Sequence, residues 1–101
     1  MADSHVELPV VDADPATLET DLFPFERLND APMAMTAHVV YRAWDPERCA
    51  SLSPVVIGEI IRGAIGFDGL LMSDDLGMQA LGGDYGARAG GVIAAGCDIA
   101  L

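Results

Sequence analysis

Apolar runs and polar, capped stretches take turns along this chain. Asp14 followed by Pro15 is a helix start: an acceptor side chain sits at the cap, and proline sits where its missing N–H would go unpaired anyway. The pattern predicts a helix over roughly residues 15–30, interrupted or bent near Pro24. Pro32 to Tyr41 is a short apolar run without polar alternation, which predicts a strand buried on both faces of a parallel sheet. Ser53-Pro54 repeats the cap-then-proline signal ahead of Val55, Val56, Ile60 and Ile61, predicting a second helix over about 54–63. Gly66 to Gly69 forms a turn, and Leu70 to Ser73 is a second apolar run that ends abruptly in Asp74-Asp75. After the glycines at 82, 83 and 86, Ala87 to Ala95 is an alanine-rich helix with its stop at Gly96, and Cys97 to Leu101 has the pattern of a third strand.

Strands alternating with helices imply parallel βα units of an α/β fold, whose sheet needs both faces covered. Three units in 101 residues fall well short of a closed eight-stranded barrel, for which about 250 residues is typical. The expectation is one incomplete domain over residues 1–101, the last part of a larger fold.

Composition narrows the partners. An apolar content of 51% is too high for a disordered tail. All five basic residues are Arg, and the formal charge of −11 opposes both nucleic-acid phosphates and anionic lipid, so neither nucleic acid nor a membrane is expected as a partner. The acidity concentrates in residues 1–30, where Asp3, Glu7, Asp12, Asp14, Glu19, Asp21, Glu26 and Asp30 face Arg27 alone. Cys49 and Cys97 lack Cys or His neighbours at metal-ligand spacing, so neither a metal site nor a disulfide is expected. With no signal-peptide pattern after Met1 and no apolar run long enough to span a bilayer, a reducing cytoplasm is the expected compartment.

Asp74-Asp75 is the most informative chemical feature, because the C-terminal ends of barrel strands aim side chains into the active site. Strand alternation sends Leu70, Met72 and Asp74 one way and Leu71, Ser73 and Asp75 the other, which splits the pair into a site group and a capping group. Asp75 is the more natural cap for a short helix over Leu76 to Leu81; the competing reading makes Asp74 a solvated loop residue. Asp3-Ser4-His5 is a second candidate, since Asp3 can accept an imidazole N–H, fix the His5 tautomer and raise its basicity; the plainer reading is an ordinary histidine near a frayed terminus. His38 closes the first strand, in Met35-Thr36-Ala37-His38, and faces either a barrel mouth or a buried hydrogen bond to a neighbouring loop.

In order and separation, Asp3-Ser4-His5, Leu8-Pro9-Val10-Val11, Met35-Thr36-Ala37-His38, Leu52-Ser53-Pro54, Gly66-Phe67-Asp68-Gly69 and Ser73-Asp74-Asp75-Leu76-Gly77-Met78 closely resemble glycoside hydrolase family 3. The resemblance is to the C-terminal part of the catalytic barrel in its β-N-acetylglucosaminidase branch, and it runs essentially end to end.

The resemblance implies an incomplete (β/α)8 TIM-type barrel of about three C-terminal strand/helix units. It also implies a retaining hydrolase that removes terminal β-linked N-acetylglucosamine from peptidoglycan fragments during cell-wall recycling. Asp74 then matches the nucleophile that forms the covalent glycosyl-enzyme, and His5 with Asp3 matches the acid/base pair on a mobile loop. By analogy of position, His38 and Met35 line the sugar pocket. The partner is an N-acetylglucosamine-containing muropeptide, with no organic cofactor and no metal. The branch also carries a Lys-His-Phe-Pro-Gly-His-Gly stretch and earlier strands that grip the sugar, and this chain, which has no lysine, lacks them. The competing expectation is therefore an inactive truncated remnant that docks on a partner supplying the missing N-terminal barrel portion.

Overall fold

The computed structural model describes residues 7–78 and 81–101. Four short strands, three α-helices, a 3₁₀ turn and a π-helix follow one another within that span. Strand β1 (Val10–Val11) leads into α1 (Pro15–Asp21), where Asp14 caps the first turn by accepting the Thr17 N–H at 2.8 Å. Pro24 has no N–H to continue the ladder, so the helical stretch breaks after Asp21 and restarts as α2 (Phe23–Arg27). The bend expected near Pro24 is present, as two helices in sequence.

The apolar run 32–41 does not form one strand. Its first part is β2 (Met33–Met35), its last is β3 (Val40–Tyr41), and the two belong to different ladders. β3 pairs in parallel with β1, in the register Val10 to Val40 and Val11 to Tyr41. Nothing in the short Val10-Val11 stretch announced a strand, because a two-residue ladder is created by its partner rather than by local pattern. β2 pairs in parallel with β4 (Leu70–Met72), with Met33 opposite Leu70 and Met35 opposite Met72.

The connection from β2 to β4 carries the 3₁₀ turn Ala50–Leu52 and the π-helix Val56–Ala64. The second helix is thus where the cap signal placed it, but its turns are widened: Ile65 N–H donates to the Ile60 carbonyl at 2.8 Å, five residues back. Ile57, Ile61 and Ile65, four residues apart on one face, reach the same core. Ser53 Oγ accepts the Val56 N–H at 3.0 Å and donates to Asp45 Oδ2 at 2.7 Å, while Asp45 Oδ1 accepts the Glu47 and Arg48 amides. That buried carboxylate ties the polar connection to the helix start.

Helix α3 (Tyr85–Ala95) is capped by Asp84, whose Oδ1 accepts the Ala87 N–H at 2.7 Å. It ends at Gly96, whose φ of 125° disfavours any side chain, and a Cβ there would lie 2.8 Å from Ile57 Cγ2. The third strand expected over 97–101 is reduced to a single parallel bridge, Met72 to Ile99, flanked by Ser73 N–H to Ile99 O at 2.9 Å and Leu101 N–H to Ser73 Oγ at 2.9 Å.

The core lies between the β2–β4 ladder and the helical layer, with Ile57, Leu71, Val92 and Phe67 all buried. The other sheet face is apolar and open: Met33, Met35, Leu70, Ile99 and Leu101 are all exposed. Residues 79–80 lie outside the described span, so the helix expected over 76–81 is represented only by turns, Met78 N–H to Asp75 O and Leu81 N–H to Met78 O, each 3.3 Å.

Candidate functional site

The end of β4 projects its residues alternately, and burial follows the alternation: Leu71 and Ser73 are 1% and 0% exposed, whereas Leu70 is exposed and Met72 and Asp74 are half-buried. Asp74 therefore continues the open face of the sheet at the C-terminal end of its strand. Its Oδ1 accepts the Asp75 N–H at 2.9 Å; among the described residues Oδ2 has no partner.

The burial alternation ends at Ser73, and Asp75, past the strand, is exposed. Its Oδ1 accepts the Gly77 N–H at 2.8 Å, closing a tight turn, and its carbonyl accepts from His38 Nε2 at 2.8 Å. Beyond it, the Arg88 guanidinium on α3 donates to the Leu76 carbonyl and lies over the Tyr85 ring, 5.4 Å from its centroid. The segment after β4 is held from two sides.

His38 is wholly buried, and both ring nitrogens are occupied, Nδ1 by Ser51 Oγ at 2.8 Å and Nε2 by the Asp75 carbonyl. Of the two placements open from sequence, the geometry is that of the buried hydrogen bond to a loop, and no ring atom reaches an opening. Met35 is 51% exposed and lies opposite Met72 in the ladder, two residues ahead of Asp74's position. It also lines a cavity of about 580 Å³ bordered by α1, α2 and the π-helix, which neither Asp74 nor His38 lines. Asp3 and His5 lie outside the described residues; among the described candidates, His38, Asp74 and Asp75 are joined by hydrogen bonds, and Met35 pairs with Met72 in the ladder.

Sequence reasoning passed over Ser51, Asp45 and Arg62. A buried serine in a 3₁₀ turn carries no pattern of its own; Asp45 had one signal, its position ahead of a cap-and-proline start. Among the described residues no group of three or more His, Cys, Asp or Glu side chains could hold a metal ion. No described helix is long and apolar enough to cross a membrane.

Three aspartates are held below the ordinary carboxylate range by hydrogen bonds to their charged form: Asp45 chiefly by the Ser53 hydroxyl, Asp98 by the Leu71 N–H, and Asp14 by the Thr17 N–H. Burial pushes the Cys49 and Cys97 thiols up, which makes both poor nucleophiles. For Asp45 the folded value lies below the unfolded 3.8. Its contribution to stability is thus present above that value and disappears as pH falls through the folded one. Relief of acidic self-repulsion acts equally on a variant, so the comparison with Asp45→Asn isolates this group. The difference in thermal midpoint should be full near neutral pH and shrink as pH falls from the unfolded value through the lowered folded one. A difference that persists unchanged into acid would mean the carboxylate's charge is irrelevant there.

With this geometry, the comparisons with known proteins are consistent. The sequence matches the family described as Glycosyl hydrolase family 3 N terminal domain over residues 1–101. A β-hexosaminidase of Alkalilimnicola ehrlichii is 46% identical over 104 residues, covering 98% of this chain and 30% of the relative. One from Chromobacterium violaceum is 47% identical, covering 98% and 29%. Among solved structures, a family 3 β-N-acetylglucosaminidase of a Paenibacillus species superposes with a TM-score of 0.90 at 36% identity, over 99% of this chain and 20% of that one. NagZ of Neisseria gonorrhoeae in complex with N-trifluoroacetyl-D-glucosamine gives 0.81 at 41% identity, over 99% and 30%. The chain spans about 30% of the length of the curated relatives it matches.

Proposed function

This chain belongs to glycosyl hydrolase family 3, and from that premise we propose that it carries the nucleophile of an exo-acting β-N-acetylhexosaminidase. It contributes about three strand/helix units of a (β/α)8 barrel, and the reaction removes terminal non-reducing β-linked N-acetylglucosamine. The observation that carries the reading is the placement of Asp74: just past the C-terminal end of a parallel strand, with one carboxylate oxygen anchored by the Asp75 N–H. The β-hexosaminidases among its relatives, and the one solved with an N-acylglucosamine analogue, support the sugar class.

In the proposed mechanism Asp74 Oδ2 attacks the anomeric carbon as the glycosidic bond breaks, and His5 protonates the departing oxygen. The bond to the Asp75 N–H keeps the carboxylate oriented during attack. Water, deprotonated by His5, then attacks the same carbon and releases Asp74, so two inversions leave the product with retained configuration. A single histidine can serve both steps because its ordinary pKa lies near neutrality, and Asp3 would hold its ring and stabilise the imidazolium. Met35 lines the sugar-facing side. Muropeptide recycling in the cytoplasm is the setting that fits this substrate.

A second reading, an inactive module that docks on a partner, is favoured by one observation: the apolar sheet face bearing Met33, Met35, Leu70, Ile99 and Leu101 is open. The test is hydrolysis of p-nitrophenyl N-acetyl-β-D-glucosaminide, with the first-formed sugar followed by proton NMR. Release of the β anomer supports the enzyme reading. Release of the α anomer overturns retention, and no turnover by pure folded chain favours the docking module.

A further inference from the structure

A line of polar groups runs through the core beneath Asp74. Thr36 Oγ1 lies 2.7 Å from Ser51 Oγ, Ser51 Oγ lies 2.8 Å from His38 Nδ1, and His38 Nε2 lies 2.8 Å from the Asp75 carbonyl oxygen. Thr36 is 5% exposed, and Ser51 and His38 are 0% exposed. A carbonyl oxygen can only accept, so Nε2 carries the hydrogen. In the neutral ring Nδ1 is then the acceptor, the Ser51 hydroxyl donates to it, and the Thr36 hydroxyl donates to Ser51. The whole line is directed by one carbonyl in the loop that follows Asp74.

The two ends of this line are structurally distinct. Thr36 is fixed at the end of β2, where its N–H donates to the Met72 carbonyl at 2.9 Å, and Ser51 is fixed in the 3₁₀ turn, where its N–H donates to the Ala37 carbonyl at 3.1 Å. The loop end is residue 75, whose N–H holds the Asp74 carboxylate and whose carbonyl is held by His38. Rotation of residue 75 would carry Asp74's hydrogen-bond partner with it.

We propose that His38 is a positioning residue: through Nε2–H it pins the Asp75 carbonyl and thereby sets the orientation of the Asp74 carboxylate. The inference rests on the reading of Asp74 as nucleophile. A misplacement on the order of 1 Å at a reacting group can lower turnover about 10²-fold, so fixing the peptide that adjoins the one holding Asp74 is sufficient to matter. Ordinary core satisfaction of a histidine predicts an effect on stability alone.

The two amide substitutions separate these. A glutamine amide nitrogen stands near the place of Nε2, and an asparagine amide near that of Nδ1, so His38→Gln keeps the donor to Asp75 and His38→Asn loses it. In the 101-residue chain, long-range ¹⁵N–¹H correlation should show the Nε2–H tautomer. Amide exchange at Asp75 and Gly77 should be about tenfold faster in His38→Asn and within about threefold of the unsubstituted chain in His38→Gln. On p-nitrophenyl N-acetyl-β-D-glucosaminide, His38→Asn should lower kcat by about tenfold to about 10²-fold with KM changed less than about twofold, and His38→Gln should recover most of it.

An Nδ1–H tautomer, or identical exchange in the two variants, overturns the inference. If His38→Asn does not fold, Ser51→Ala removes the group that orients the ring, and unchanged exchange at Asp75 in that variant overturns it equally. If the unsubstituted chain turns over no glycoside, the nucleophile reading fails for this chain, while tautomer and exchange still decide whether His38 pins the loop.

Discussion

With Asp74 as the proposed nucleophile, Asp74→Ala is expected to lower kcat/KM on p-nitrophenyl N-acetyl-β-D-glucosaminide by about 10⁴-fold or more, because the proposed covalent step then loses its nucleophile. The fold should survive the change. The carboxylate makes one hydrogen bond in the described structure, to the Asp75 N–H in an exposed turn, and such a bond is worth about 1 kcal/mol or less. Azide supplies a sharper version of the test. A small anion entering the space vacated in Asp74→Ala would attack the anomeric carbon directly and give the α-glycosyl azide by single inversion. Substantial residual turnover in pure Asp74→Ala, with no azide product, would remove Asp74 from the mechanism. Asp75→Ala is the natural control: it loses the turn closed on the Gly77 N–H, and its expected deficit is nearer tenfold.

The second large effect lies at the other end of the same strand. Arg62, at the end of the π-helix, donates Nη1 to the Phe67 and Gly69 carbonyls at 3.2 and 2.7 Å and Nη2 to Asp98 Oδ2 at 3.0 Å. Asp98 Oδ2 in turn accepts the Leu71 N–H at 2.8 Å, so one guanidinium gathers the turn before β4, the strand itself and the chain after α3. The ion pair contributes little by itself, because its side chains are 27% and 45% exposed. The charged bonds to two carbonyls matter more, and Gly69 packs so tightly that a Cβ there would lie 2.7 Å from the Pro32 carbonyl oxygen.

Arg62→Ala is therefore expected to lose about 2–3 kcal/mol of stability, a fall in thermal midpoint on the order of 10 °C. Arg62→Lys should recover less than half, since one ammonium cannot replace the planar fork. Turnover per folded molecule should be little changed, because Arg62 acts at the start of β4 and Asp74 stands beyond its end. A midpoint within about 2 °C of the unsubstituted chain would show that the Asp98 and backbone contacts hold without Arg62.

The helices were legible because their signals are local. Asp14-Pro15, Ser53-Pro54 and Gly96 each mark a terminus through capping chemistry that needs no distant partner, and Pro24 breaks a helix whatever surrounds it. The strands were legible only where an apolar run was itself the strand, as at Leu70–Met72. The run 32–41 looks continuous in sequence yet serves two ladders, because pairing between residues 30 apart in one ladder and 37 apart in the other decides where a strand stops. The candidate site divides along the same line. The motif around Ser73-Asp74-Asp75 and the alternation that separates the two carboxylates are written in adjacent residues.

By itself, then, the sequence determined the capped helices, the apolar strand that leads into Asp74-Asp75, and the separation of a candidate site carboxylate from one closing a turn. These follow from backbone geometry over a few residues, where 3.6-residue and two-residue periods are fixed by covalent structure. Only the tertiary structure decided that His38 turns inward to the Asp75 carbonyl, that Ser51 completes its hydrogen bonding, and that Arg62 reaches Asp98 across 36 residues. The physical reason is that a buried polar group must find a partner, and which partner is within reach depends on how the elements pack.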